Sequence, residues 1–193
     1  IKPLPGWVLD TACRKRVAWR EPGFPPLQMS VNISPSHFLD KDIVSLIKRM
    51  IQETGIAPAE LSLEVTESVV QTNKENLTIF RDLNELDIQL AIDDFGTGYS
   101  SLASLKHLEV DYLKIDKYFI DDMLTDNKAL LLISSMIEMG HKLGYKIIAE
   151  GVETSEQLNL LKEMNCDAVQ GYLFSKPVNP SEISALLNNH FEV

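Results

Sequence analysis

From Leu27 onward the chain alternates short apolar runs with longer stretches of helical periodicity. Residues 27–33, 61–67, 88–94, 110–116, 145–150 and 168–172 read as strands, each bounded by turn residues and too short for a typical helix. Between them lie helices. Residues 42–54 place Ile43, Ile47, Met50 and Ile51 on one face, and Gly55 is suited to end the helix. Residues 75–86 form the next helix, and Ser100 to His107 a short one. Residues 127–143 form the longest, with Leu132, Ile133, Met136 and Ile137 expected inward. Thr154 and Gln157 make a capping box for a helix reaching Met164. Pro180 suits the first turn of a final helix. A further helix over residues 6–19 precedes the alternation, and the prolines of EPGFPP at 21–26 require a loop. Such alternation predicts a parallel sheet covered by helices, either doubly wound or curled into a barrel. No G-x-G-x-x-G follows the first strand, so the dinucleotide-binding version has no support.

The length of 193 residues suits one domain over residues 1–193, with a substantial core. The net charge of −10 argues against binding of nucleic acid polymers or anionic membranes. No apolar run is long enough to span a bilayer. Cys13 and Cys166 are far apart and suggest no disulfide framework, so a cytoplasmic location is expected. The chain opens on Ile1 and reads as part of something longer.

Each strand carries a polar residue near its C-terminal end. The set is Asn32, Glu64, Asp93 with Asp94, Lys114, Glu150 and Gln170. In a parallel barrel those ends converge on one face, where sites are assembled from several strands. Asp93 and Asp94 close the apolar run Leu90-Ala91-Ile92 and precede a flexible segment, Phe95-Gly96-Thr97-Gly98. Two acids at the exit of a buried strand repel each other, so a cation is expected between them. Carboxylates with an amide oxygen suit Mg²⁺ or Mn²⁺ better than zinc. A pair of such ions about 3.5–4 Å apart could activate water for phosphoryl transfer. Taken singly, each of these residues could instead serve a turn or a helix cap.

Lys114 has three readings: a solvated strand-end lysine, a Schiff-base lysine, or a fixed cation. Schiff-base chemistry needs a depressed pKa. Neighbouring carboxylates favour the charged form, which points to a cation that orients water or offsets phosphate charge.

The motifs VNIS at 31–34, LEVTES at 63–68, DDFGTGYSS at 93–101, LKID at 113–116, AEGVET at 149–154 and QGYLFSKP at 170–177 together resemble the EAL domain, the cyclic di-GMP phosphodiesterase domain of bacterial signalling. The resemblance covers nearly the whole chain. It implies a TIM-like (β/α)8 barrel, about six of whose eight strands are encoded here, that hydrolyses cyclic di-GMP to linear pGpG with Mg²⁺ or Mn²⁺. Asn32, Glu64, Asp93, Asp94 and Glu150 resemble its metal ligands. Lys114 resembles its water-orienting or general-base lysine, and Glu150 and Gln170 resemble its other catalytic groups. Glu67 resembles the anchor of the loop at 95–101 and is expected to be an exposed strand-end acid. Glu153 resembles a supporting residue. Gly96, Thr97, Gly98, Tyr99 and Pro177 resemble substrate contacts. A homodimer is implied, and an upstream sensor or GGDEF domain is expected in the parent chain. The strand bearing the family's Glu-Ala-Leu motif has no counterpart here, so the chain is read as N-terminally incomplete. That departure supports an alternative, a catalytically impaired domain acting as a cyclic di-GMP receptor or regulatory module.

Overall fold

The computed structural model describes residues 4–20, 27–71, 74–98 and 105–187. The loop expected at 21–26, Tyr99, and most of the helix expected over 100–107 lie outside these residues.

Six parallel strands form one sheet in sequence order: β1 (Met29–Asn32), β2 (Leu61–Thr66), β3 (Gln89–Phe95), β4 (Tyr112–Ile115), β5 (Lys146–Glu150) and β6 (Ala168–Gln170). Neighbours in space are neighbours in sequence, with every pair parallel. This is a single curled sheet of TIM-like α/β type. Helix α1 (Leu4–Ala18) packs on β1 and on α3 (Ile43–Thr54). The short α2 (Pro35–Phe38) follows β1, and α4 (Lys74–Asn84) lies between β2 and β3. Between β4 and β5 come α5 (Lys117–Asp122) and α6 (Asn127–Leu143). The described residues continue through α7 (Ser155–Glu163) and, after a single 3-10 turn, reach α8 (Ile183–Leu187).

Strand alternation divides the sheet into two chemically different faces. Val31, Leu63, Val65, Leu90, Ile92, Leu113, Ile115, Ile147 and Ala149 share one face and are buried. They join Phe38, Ile47, Met50, Phe80, Ile133 and Ile137 of the helices in one core. The opposite face carries the polar strand-end residues. The expected end of α3 is seen at Gly55, whose φ of 71° only glycine adopts readily. Thr154 and Gln157 form the expected reciprocal cap of α7.

Four details differ from the sequence reading. Leu132 is half exposed, because the buried stripe of α6 runs through Ala129, Ile133, Ile137 and Gly140. Gly140 belongs to that stripe because a Cβ there would collide with Ile147 of β5. Phe95 is a buried strand residue rather than part of a flexible segment, and it pairs with Ile115. Two short helices, α2 and α5, were not legible. Asp116 begins α5 by accepting the amide of Tyr118 at 2.8 Å.

Candidate metal centre

Register explains why the polar residues converge. Asn32 lies beside Glu64, and Glu64 beside Ala91. Ala91 pairs with Tyr112, Tyr112 with Lys146, and Glu150 with Gln170. Asp93 and Lys114 each stand two residues beyond a member of that row, and Glu150 four. All six therefore point to the same face of the sheet.

Asp94 is the exception that alternation alone would send to the other face. The β3–β4 register shifts between Ile92 and Phe95, a bulge that takes up one extra residue. Asp94 has a φ of 55°, in the left-handed region. Its carbonyl accepts the Thr97 hydroxyl at 2.8 Å and the Thr97 amide at 3.3 Å, which hold this conformation. The bulge brings both adjacent acids to one site. Carboxylate oxygens of Asp93, Asp94 and Glu150 lie within 4.8 Å of one another.

Lys114 sits at the centre of the carboxylates and is only 2% exposed. Its Nζ lies 2.6 Å from Glu150 Oε1, 2.7 Å from Glu64 Oε2 and 3.1 Å from Asp93 Oδ1. Burial pulls the lysine pKa down, but the hydrogen bonds and charges of Glu150 and Glu64 outweigh it, and the pKa is raised. Lys114 is thus held as an ammonium, unlike a Schiff-base lysine. Burial raises the pKa of Glu150 even though Lys114 opposes the shift. Burial also raises that of Asp94, helped by the charges of Asp93 and Asp116. One lysine does not neutralise this many acids. Hard oxygen donors in excess of positive charge suit a divalent cation, and Asp93, Asp94 and Glu150 are a group that could hold one.

Glu67, expected to be exposed, is buried at 5% exposure. Its Oε2 accepts the amides of Gly96 at 3.1 Å and Gly98 at 3.2 Å. The short 3-10 turn that opens at Glu67 folds the side chain under the loop instead of releasing it to solvent. Beneath Gly96, Phe119 and Met136 come so close that a side chain at 96 would meet them. Glu153 pairs with Lys117 at 2.7 Å, and its amide is held by Gln157. Asn32 and Gln170 flank Glu64 and Glu150 on exposed strand ends. Thr97 and Gly98 are exposed at the rim, and Pro177 is exposed beyond β6. Asp116 escaped the sequence reading. After burial and Asp93, its charge is among the causes that raise the Asp94 pKa. The signal was available, since Asp116 stands two residues after Lys114 and thus on the same face.

This fold is that of a known class. A family model described as the EAL domain matches residues 1–177, and the chain belongs to that family. It is 41% identical to the signaling protein YkoW of Bacillus subtilis, over 94% of this chain and 23% of that protein. It is 40% identical to the cyclic di-GMP phosphodiesterase NbdA of Pseudomonas aeruginosa, over 92% of this chain and 23% of that one. Among solved structures, the EAL domain of Mycobacterium smegmatis DcpA matches at 37% identity and a TM-score of 0.89, covering 95% of this chain and 83% of that chain. The PaMucR phosphodiesterase in its c-di-GMP complex matches at 36% identity and a TM-score of 0.87, covering 92% and 72%. The chain spans about a quarter of the length of these curated relatives. No helix among the described residues is long and apolar enough to cross a membrane.

Proposed function

We propose that residues 1–193 form one EAL-type domain, and that its carboxylate cluster hydrolyses cyclic di-GMP to linear pGpG with Mg²⁺ or Mn²⁺. The observation that carries this reading is the burial of Lys114 among Glu64, Asp93 and Glu150, with Asp94 brought alongside by the β3 bulge. Asp93, Asp94 and Glu150, with Asn32 and Glu64 completing the ligand set, would hold a divalent cation, which would supply Lewis acidity at the phosphodiester and make water a stronger nucleophile. Lys114 then acts as a fixed cation. It orients the attacking water and offsets charge that builds on the phosphate oxygens. Its raised pKa supports this role over that of a base. Gln170, paired with Glu150 in the β5–β6 register, would hydrogen-bond the water network of such a site. Glu67 holds the loop that carries Gly96, Thr97 and Gly98 at the rim, where the substrate is expected to lie together with Tyr99 and Pro177.

The relative MucR of Pseudomonas aeruginosa is described as a bifunctional diguanylate cyclase and cyclic di-GMP phosphodiesterase. By analogy we extend the reading to a parent chain with an upstream GGDEF or sensor domain, working as a homodimer in the cytoplasm. The test is turnover of cyclic di-GMP by the parent protein with Mg²⁺, Mn²⁺ or Ca²⁺, followed by separation of pGpG. Turnover with Mg²⁺ or Mn²⁺ that Asp93→Asn abolishes is the expected result. Binding of cyclic di-GMP without turnover under every metal overturns it and leaves a receptor.

A further inference from the structure

Lys117, the first residue of α5, makes contacts that the reaction as described does not use. Its Nζ lies 2.7 Å from Glu153 Oε1 and 2.7 Å from Asp121 Oδ1. Its aliphatic stem lies over Gly151, the residue directly after Glu150. A Cβ on Gly151 would run into Cβ, Cγ and Cδ of Lys117, and Gly151 has a φ of 73°. The lysine thus covers the backbone of the β5 exit with its stem and ties Glu153 with its head. Its own backbone follows Asp116, which caps α5 by accepting the Tyr118 amide.

The other side of the same loop is rigid. The amide of Val152 donates to Gln170 O at 3.0 Å, and that of Leu173 to Val152 O at 3.0 Å. A Cβ on Gly171 would run into the backbone of Val152, which is fully buried. Residues 150–153 therefore lie between a hydrogen-bonded backbone wall, the turn after β6, and a half-exposed side chain, Lys117.

We infer that Lys117 is a positioning residue, which sets the β5 exit so that Glu150 meets Asp93 and Asp94 at cation-binding separation. The inference rests on the reading of that cluster as a divalent metal site. Lys117 is itself half exposed, so its ion pairs contribute little to stability. Its effect is geometric, through Gly151 and Glu153, and side chains that orient ligands from behind in this way change metal affinity by about tenfold or more when removed.

Charge and position predict opposite signs. If Lys117 mattered only as a nearby positive charge, its removal would tighten cation binding. If it sets Glu150, removal weakens binding. The experiment measures Mn²⁺ affinity of the full chain by titration calorimetry for wild type, Lys117→Met, Lys117→Arg and Asp93→Asn, with thermal melting of each. Lys142→Met, which breaks the exposed Lys142–Glu138 pair on α6, is the control. The expected result is a Kd raised about tenfold in Lys117→Met, restored to within about twofold by Lys117→Arg, with unchanged melting and no effect of the control. An unchanged or lower Kd in Lys117→Met overturns the inference. So does a loss that tracks a lower Tm and that arginine does not restore. A wild-type chain with no Mn²⁺ site sensitive to Asp93→Asn refutes the metal reading itself, a result distinct from either.

Discussion

Gly98 lies directly against the carboxylate of Glu67. Its amide donates to Oε2 at 3.2 Å, and a Cβ at position 98 would stand 3.0 Å from the carboxylate carbon. One buried acid thereby fixes the loop that follows Asp93 and Asp94. Glu67→Ala removes two charge-assisted hydrogen bonds from the loop and leaves a space beneath it. It should lower stability by about 1–2 kcal/mol and reduce turnover and metal affinity. That cost follows from the burial of Glu67, which the sequence reading places in solvent. Glu67→Gln keeps an acceptor and should fall between wild type and alanine. Denaturant unfolding beside a turnover assay checks both, and wild-type turnover in Glu67→Ala would show that the site does not depend on this anchor.

Lys114 balances three carboxylates at once. Lys114→Met keeps much of the volume and removes the charge, leaving Glu64, Asp93 and Glu150 unpaired in a buried site. The cost should be about 3–5 kcal/mol at neutral pH. Divalent cations should offset part of it, so that Mn²⁺ raises the variant's Tm more than the wild type's. Turnover should be lost even where Mn²⁺ restores the fold. Melting curves with and without Mn²⁺ decide this, and an equal Mn²⁺ shift in both proteins would contradict the charge balance described here.

Periodicity made most of the sheet legible. Six apolar runs became six strands, and the polar residue near each strand end came to the site because parallel register keeps alternation in phase across neighbours. Leu132 was misplaced because an apolar residue beside a buried stripe looks the same in sequence as one within it. The β3 bulge was not legible, since nothing in LAIDDFG distinguishes a regular strand end from one with Asp94 in the left-handed region. The burial of Glu67 was hidden because it depends on a turn after β2 and on a loop that is distant in sequence. Asp116 could have been found from its spacing to Lys114.

Asp167 joins the start of β5 to α6. Its Oδ2 accepts the Ile147 amide at 2.8 Å and lies 2.7 Å from His141 Nε2. Burial pushes its pKa upward, but the Ile147 amide and His141 outweigh it, and the pKa is lowered from the ordinary 3.8. A lowered folded pKa gives stability that is fully present above the unfolded value and is lost as pH falls through the folded one. Asp167→Asn keeps an acceptor for Ile147 but not the charge. It should be less stable than wild type at pH 6 to 7, and the gap should close below about pH 4. Urea midpoints across that range measure the gap, and a gap independent of pH would show that the Asp167 charge contributes nothing.

Asp94 combines a backbone and an electrostatic penalty at one position. A non-glycine residue in the left-handed region costs roughly 1 kcal/mol. Burial, and after it the charges of Asp93 and Asp116, raise the Asp94 pKa. The Thr97 contacts that hold the bulge go to the Asp94 carbonyl, so they survive any substitution that keeps the backbone. Asp94→Gly should therefore stabilise the metal-free chain, by about 1 kcal/mol or about 2–4 °C in Tm. The same variant loses a carboxylate from the cluster with Asp93 and Glu150, so it should bind Mn²⁺ more weakly and lose most of its turnover. Adding Mn²⁺ should then reverse the order of the two melting temperatures, because ligand binding stabilises the wild type more. Asp94→Asn separates the two contributions: it removes the charge and keeps a side chain that tolerates this conformation. If Asp94→Gly melts below wild type without metal, the left-handed backbone at this bulge is not a strain that the site maintains for its ligands.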